Sequence, residues 1–162
     1  AIADYFGPVY LRFGRPAVPV FTDQNQTFEI GKAVHMIEGN DVTIVATGHL
    51  VWEAIEASKV LFEKGISAEV INIHTIKPLD TNAILKSVTK TRCVVSAEEH
   101  NYLGGLGESI SRILVKNDPV PQEFVATNDT FGESGTPKQL MEKYGIDSQA
   151  IITSCLKVIK RK

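Results

Sequence analysis

Residues 94–108 read VVSAEEHNYLGGLGE. An apolar, β-branched run gives way to Glu98, Glu99 and His100, and then to Gly104, Gly105 and Gly107 where a helix-like segment opens at Leu106 and continues to Val115. This is the signature of a buried strand whose carboxyl end leaves the core and delivers polar groups to an edge, where glycines let the backbone turn sharply into a helix. Such an edge suits an anion or a partner surface, and a plain tight turn accounts for the same glycines.

The pattern repeats on both sides of that stretch. Asp41–Thr47, Ala68–Ile73, Cys93–Ala97 and Pro121–Thr127 read as strands of near-continuous apolar character. Between them, Leu50–Lys64 carries Leu50, Ala54, Ile55, Leu61 and Phe62 at helical spacing and stops at Gly65. Ile76-Lys77-Pro78-Leu79 turns the chain so that Asp80 caps a short helix bearing Ile84, Leu85 and Val88, while Leu106, Ile110, Ile113 and Leu114 form the stripe of the next. Alternating strands and helices with right-handed crossovers predict an α/β fold: a three-layer αβα sandwich around a largely parallel or mixed sheet of about five strands. Gly31–Gly39 is ambiguous, a short strand of undetermined direction.

Local punctuation is clear near the end of the chain. Thr136-Pro137-Lys138-Gln139 has the spacing of a capping box with proline at the first helical position, and that helix runs to Tyr144 and stops at Gly145. Asp147 then caps a helix whose apolar face reads Ile151, Ile152, Cys155, Leu156 and Ile159. Lys157, Lys160, Arg161 and Lys162 complement the carbonyl end of that helix.

The first residues do not join this scheme. Ala1–Phe6 resembles the tail of a helix, Val9, Leu11 and Phe13 alternate with Tyr10 and Arg12 as in a half-buried strand, and Gly14–Pro19 reads as a linker. The division expected is residues 1–19 as the end of an earlier domain plus linker, and residues 20–162 as one α/β domain; the alternative is an edge strand of the main sheet.

Composition limits the function classes. With 162 residues, 43% of them hydrophobic, and 17 basic against 19 acidic side chains, the chain supports one substantial core and carries no extended basic face. Nucleic acid is excluded as the expected partner, and no run approaches the ~18 apolar residues of a membrane helix. Cys93 and Cys155 are expected to be buried thiols, in keeping with a cytoplasmic location. His35, His49, His74 and His100 lack the paired spacing of a zinc motif. Glu98, Glu99 and His100 form a general acid-base candidate by residue type, and His49 and His74 fall just past strand ends.

ATGH at 46–49, IKPLD at 76–80, EEHNYLGGLGE at 98–108 and FGESGTPKQLMEKYGI at 131–146 occur in the order seen in transketolases, and the chain resembles a transketolase C-terminal domain. GPVYLRFGRP at 7–16 resembles the closing strand of the pyrimidine-binding domain that precedes it. Deoxyxylulose-phosphate synthases and 2-oxoacid dehydrogenase beta chains share similar features and form the alternative, as does a non-catalytic anion-binding module.

The resemblance implies a thiamine diphosphate and magnesium enzyme that transfers a two-carbon ketol unit between ketose and aldose phosphates, acting as a homodimer of the complete enzyme. It implies that the cofactor is held by the N-terminal thiamine-binding domains or subunit, that this chain alone binds none and is inert, and that no catalytic or metal-binding residue lies in it. Arg15 matches the family arginine that contacts the substrate phosphate, a task suited to a planar, permanently charged donor fork. Gly48, His49, Glu98, Glu99, His100, Gly104 and Gly105 form the candidate interface or anion-binding edge.

Overall fold

The computed structural model describes residues 1–14 and 16–162. Five strands, β1 (Val34–Ile37), β2 (Val42–Ala46), β3 (Ala68–Asn72), β4 (Val94–Asn101) and β5 (Gln122–Thr127), form one sheet in the order β1-β3-β2-β4-β5. The four strands β2 to β5 run parallel, and β1 pairs antiparallel with β3 through His35 opposite Ile71, which fixes the direction that the sequence leaves open.

Helices α1 (Leu50–Glu63), α2 (Thr81–Thr91), α3 (Leu106–Asn117), α4 (Pro137–Tyr144) and α5 (Ser148–Ile159) complete the predicted αβα layers. Because successive strand residues point to opposite faces, β2 alone feeds two cores. Ile44 packs with α1 and α5 through Leu50, Leu61, Ile151 and Cys155, and Val45 packs with α2 and α3 through Ile84, Val88, Leu106 and Ile110. The central strand is buried at every position, the pattern of a parallel sheet covered on both faces.

Local chemistry sets the helix ends. Asp80 accepts the Ala83 amide at 3.1 Å, Asp147 accepts that of Ala150 at 2.8 Å, and Thr136 and Gln139 complete the reciprocal capping box. Two faces differ from the periodic reading. In α1, Val51, Ala57 and Ser58 are buried and Phe62 is exposed; in α5, Val158 is fully buried while Leu156 is turned out. In each helix the face is chosen by where the sheet lies, and an apolar residue beside the stripe is left in solvent.

The basic cluster at the end of α5 also has a more specific partner than the helix dipole. Lys157 reaches Glu123 of β5 at 2.7 Å, Arg161 pairs with the same carboxylate, and Lys162 donates to the Asp41 carbonyl at 2.7 Å. Burial raises the Glu123 pKa, but the hydrogen bonds from Lys157 and Arg161 outweigh it and hold the carboxyl below its ordinary value.

Residues 5–14 and 16–20 form no helix or strand. Ala1–Phe6 contains only a 3-10 turn at Ile2–Asp4, and Val9–Phe13 belongs to no strand, so the edge-strand alternative does not hold. Phe6, Tyr10 and Phe13 are among the most exposed large apolar side chains of the described residues.

Two measurements check this packing. Val158→Ala should lower the unfolding free energy by about 1–3 kcal/mol while Leu156→Ala costs under about 0.5 kcal/mol, read from urea denaturation. A carboxyl whose folded pKa is depressed contributes stability above its unfolded value and loses it as pH falls through the folded one. The stability difference between wild type and Glu123→Gln should therefore be full at pH 7 and should shrink as pH falls below about 4.5.

Candidate functional site

The carboxyl ends of the parallel strands converge on one edge, and β4 is distorted there. Ala97 pairs with Val125 and Asn101 with Thr127, so four steps along β4 correspond to two along β5. Glu98, Glu99 and His100 stand opposite the single residue Ala126, a surplus of two that makes a bulge, a device that re-aims side chains at a sheet edge.

Glu98 is carried inward. It is 3% exposed, and its carboxylate accepts the Leu106 amide at 2.7 Å and the Gly107 amide at 2.8 Å. These are the free N–H groups of the first turn of α3, where the helix dipole also favours negative charge. Gly105 makes the approach feasible, because a Cβ there would meet both Glu98 carboxylate oxygens at 2.5 Å. The rest of the turn is also internally bonded: the Gly104 amide donates to Glu108 Oε2 at 2.9 Å and the Leu103 amide to Asn101 Oδ1 at 2.9 Å. The glycine-rich entry to α3 is thus filled by the chain's own carboxylates.

Glu99 turns the other way. Its Oε2 lies 3.4 Å from Nδ1 of His49, the residue that precedes α1, and the His49 side chain is only 15% exposed. Gly48, with φ +58°, makes the left-handed step between β2 and His49. Residues 12–14 cover this pair: Arg12 donates to the Glu99 carbonyl at 3.3 Å, and Gly14 lies against the imidazole so closely that a Cβ would collide with it. His100 is exposed, and its Nδ1 bonds to the Asn101 carbonyl at 2.8 Å. The structure therefore brings His49 and Glu99 together, sends Glu98 elsewhere and leaves His100 outside; Arg15 lies outside the described residues.

His74 stacks on Phe28 with ring centroids 4.2 Å apart, and its Nδ1 meets the Thr75 hydroxyl at 2.9 Å. Burial lowers its pKa in spite of hydrogen bonding to the backbone of His74 and Lys32, so the ring is held neutral as a packing group. Cys93 and Cys155 are free and buried, and burial raises both thiols.

A second polar cluster lies at the opposite end of the sheet. Glu69, 1% exposed on β3, takes His35 Nδ1 at 3.1 Å, Lys90 Nζ at 3.2 Å and the Ser87 hydroxyl. Each hydroxyl has one proton, so with Ser87 donating to Glu69, Thr43 must donate to Ser87 at 2.5 Å and Thr91 to Thr43 at 2.6 Å. Among the described residues, His35, Glu38 and Glu69 form the one trio spaced for a metal ion, but Lys90 bridges both carboxylates. Burial lowers the Lys90 pKa, and the bonds to Glu69 and Glu38 outweigh that and raise it. An ammonium already sits between the two carboxylates of the trio.

These residues do not fit thiamine diphosphate and magnesium. Among the described residues, the cradle that glycines open at the strand-end edge is taken by Glu98, and the ligand trio at the opposite edge is taken by Lys90. The sequence missed both partnerships, although an acid inside the apolar run AEVINI at 68–73 was a visible signal that Glu69 needed a buried partner.

The transketolase C-terminal domain family model matches residues 31–151, and the chain belongs to that family. It is 45% identical over 157 residues to the 6-deoxy-6-sulfo-D-fructose transketolase subunit SqwH of Clostridium sp. strain MSTE9, covering 96% of this chain and 48% of that protein. It is 38% identical to a putative transketolase C-terminal section of Methanocaldococcus jannaschii, covering 99% of this chain and 51% of the other. Among solved structures it is similar to a split-gene transketolase described as an inactive beta4 tetramer, with a TM-score of 0.87 and 39% identity over 90% of this chain and 48% of that one. The chain thus spans about half the length of the curated relatives it matches.

Removing the Glu98 carboxylate exposes two helix amides to an apolar setting. Glu98→Ala should lower the unfolding free energy by about 2–3 kcal/mol, and Glu99→Gln, on the half-exposed outer side, by under about 1 kcal/mol, in parallel urea titrations.

Proposed function

We propose that this chain supplies the C-terminal part of a thiamine diphosphate- and magnesium-dependent transketolase, which moves a two-carbon ketol unit from a ketose phosphate to an aldose phosphate. The observation that carries this reading is the 39% identity and TM-score of 0.87 to a split-gene transketolase, across nearly all of this chain but about half of that one. The cofactor and the reacting carbons belong in this reading to N-terminal thiamine-binding domains or a separate subunit. The filled cradle at α3 supports that division of labour.

The domain boundary follows the same logic. Residues 1–19 are read as the end of the pyrimidine-binding domain plus linker, and 20–162 as the C-terminal domain. The exposed Phe6, Tyr10, Leu11 and Phe13 support this, since large apolar groups uncovered together mark a surface that another body buries. Arg15 is assigned to the substrate phosphate. Gly48, His49, Glu98, Glu99, His100, Gly104 and Gly105 are assigned to a contact edge toward neighbouring domains of a homodimeric enzyme, with Glu98, Gly104 and Gly105 shaping it from within. Free, buried Cys93 and Cys155 support a reducing, cytoplasmic setting, and among the described residues no helix is long and apolar enough to cross a membrane.

The test is ketol transfer from a ketose phosphate to an aldose phosphate, with thiamine diphosphate and magnesium supplied. Transfer is expected when the chain is assayed with the thiamine-binding polypeptide encoded beside it, or within the longer polypeptide that contains it, and not with the chain alone. A complete assembly that binds the cofactor yet moves no ketol group would overturn the reading.

A further inference from the structure

We propose that residues 21–33 form a strap over the carboxyl ends of β2 and β3, latched at its middle by the stack of Phe28 on His74, and that protonation of His74 releases it. The strap joins residues 1–20 to β1, the antiparallel edge of the sheet. Its first anchor is Phe21, whose ring centroid lies 6.3 Å from that of Trp52 in the first turn of α1, just past the end of β2. Its last anchor is the turn into β1. There Gly31 lies so close to Pro78 that a Cβ would meet that ring at 2.9 Å, and the Ala33 amide donates to Asp80 Oδ2 at 2.9 Å. Between these ends the strap bonds to itself: the Gln26 amide to the Asp23 carbonyl and the Lys32 amide to the Glu29 carbonyl, each at 3.1 Å. The contact that brings its middle onto the domain is Phe28 on His74, just past the end of β3, with ring centroids 4.2 Å apart.

This latch is sensitive to charge because of what surrounds the imidazole. His74 Nδ1 meets the Thr75 hydroxyl at 2.9 Å, while Nε2 is shut off from solvent and is, among the described residues, the one buried side-chain nitrogen or oxygen without a hydrogen-bond partner. The histidines paired with carboxylates among the described residues are His35, with Glu69, and His49, with Glu99, so no carboxylate stands beside His74. The charged groups on the stretches around it are Glu29 and Lys32 of the strap and Lys77 and Asp80 of the loop after β3, and Asp80 is committed to the Ala33 and Ala83 amides. A second proton on the ring therefore puts an uncompensated charge beneath an apolar group. Burial lowers the His74 pKa from its ordinary 6.5 and outweighs the favourable pull of the His74 and Lys32 backbone. A histidine lowered in this way contributes stability above its unfolded value and loses it as pH falls toward the folded one. The closed strap is thus complete at neutral pH and weakens as pH falls below 6.5. Release lifts Phe28 while Phe21 and Ala33 hold the ends, uncovering the strand-end edge at which open α/β sheets gather ligands.

Hydrogen–deuterium exchange on the complete protein that contains this chain reads the strap directly, through peptides covering residues 24–33 and with intrinsic exchange corrected for pH. Protection there should fall by up to about tenfold per pH unit from about pH 6.5 to about pH 5, the slope of one proton, while a β2 peptide keeps its protection. His74→Phe keeps an apolar ring beneath Phe28 and removes the proton site, so its strap should stay closed across that range although the other three histidines remain. Phe28→Ala should lower strap protection by about three- to tenfold already at neutral pH, with β2 unchanged. Wild-type protection that does not vary with pH would overturn the proposal, as would an acid-driven opening that survives His74→Phe. Should His74→Phe lose protection in β2 and so prove unfolded, Phe28→Ala decides: an unchanged strap at neutral pH overturns the latch, and the expected loss upholds it.

Discussion

A carboxylate buried without a cation is costly, and Glu98 is tolerated at 3% exposure because the first amides of α3 receive it. That interaction determines much else at the strand-end edge. It requires a bulge in β4 to turn the side chain inward, a glycine at 105 to let it approach, and a tight turn whose remaining amides find Asn101 and Glu108. The bulge in turn moves Glu99 to the opposite side, where it meets His49. Two adjacent glutamates therefore occupy unlike environments, one as a helix cap and one beside a histidine, and they do not act as a paired acid and base.

The opposite edge solves a similar problem in another way. Glu69 is buried beside Lys90 and His35 and at the end of a directed hydroxyl chain from Thr91 through Thr43 and Ser87. This fastens α2 to the start of β2 and β3 with polar bonds beside the apolar contacts of Ile84 and Val88. At one edge the backbone supplies the countercharge and at the other side chains do, so the two ends of the sheet are locked by separate devices.

The fold was largely legible in the sequence because its signals are local. Apolar β-branched runs mark β2 to β5, and Thr136, Gln139, Gly145 and Asp147 mark helix ends through bonds made within a few residues. What escaped was decided at a distance. The direction of β1 depends on pairing with β3, the exposure of Leu156 and Phe62 on where the sheet meets each helix, and the roles of Lys157 and Arg161 on Glu123, more than thirty residues earlier. The candidate edge was legible as a location, since strand ends gather there by topology. Its internal wiring was not, because no local pattern in EEHN announces that two surplus residues will bulge and separate Glu98 from Glu99.

The way Glu98 fills the entrance to α3 also bears on how this domain responds to its surroundings. A fold that leaves a helix terminus open for phosphate gains stability with every increase in the concentration of that ion, and its melting then reports the metabolic state of the solution. Here the ligand is tethered to the receptor, at an effective concentration that no solute matches. The domain's thermodynamic stability is to that extent uncoupled from the phosphate content of its surroundings, and the entrance to α3 keeps one internal ligand whatever ions are present.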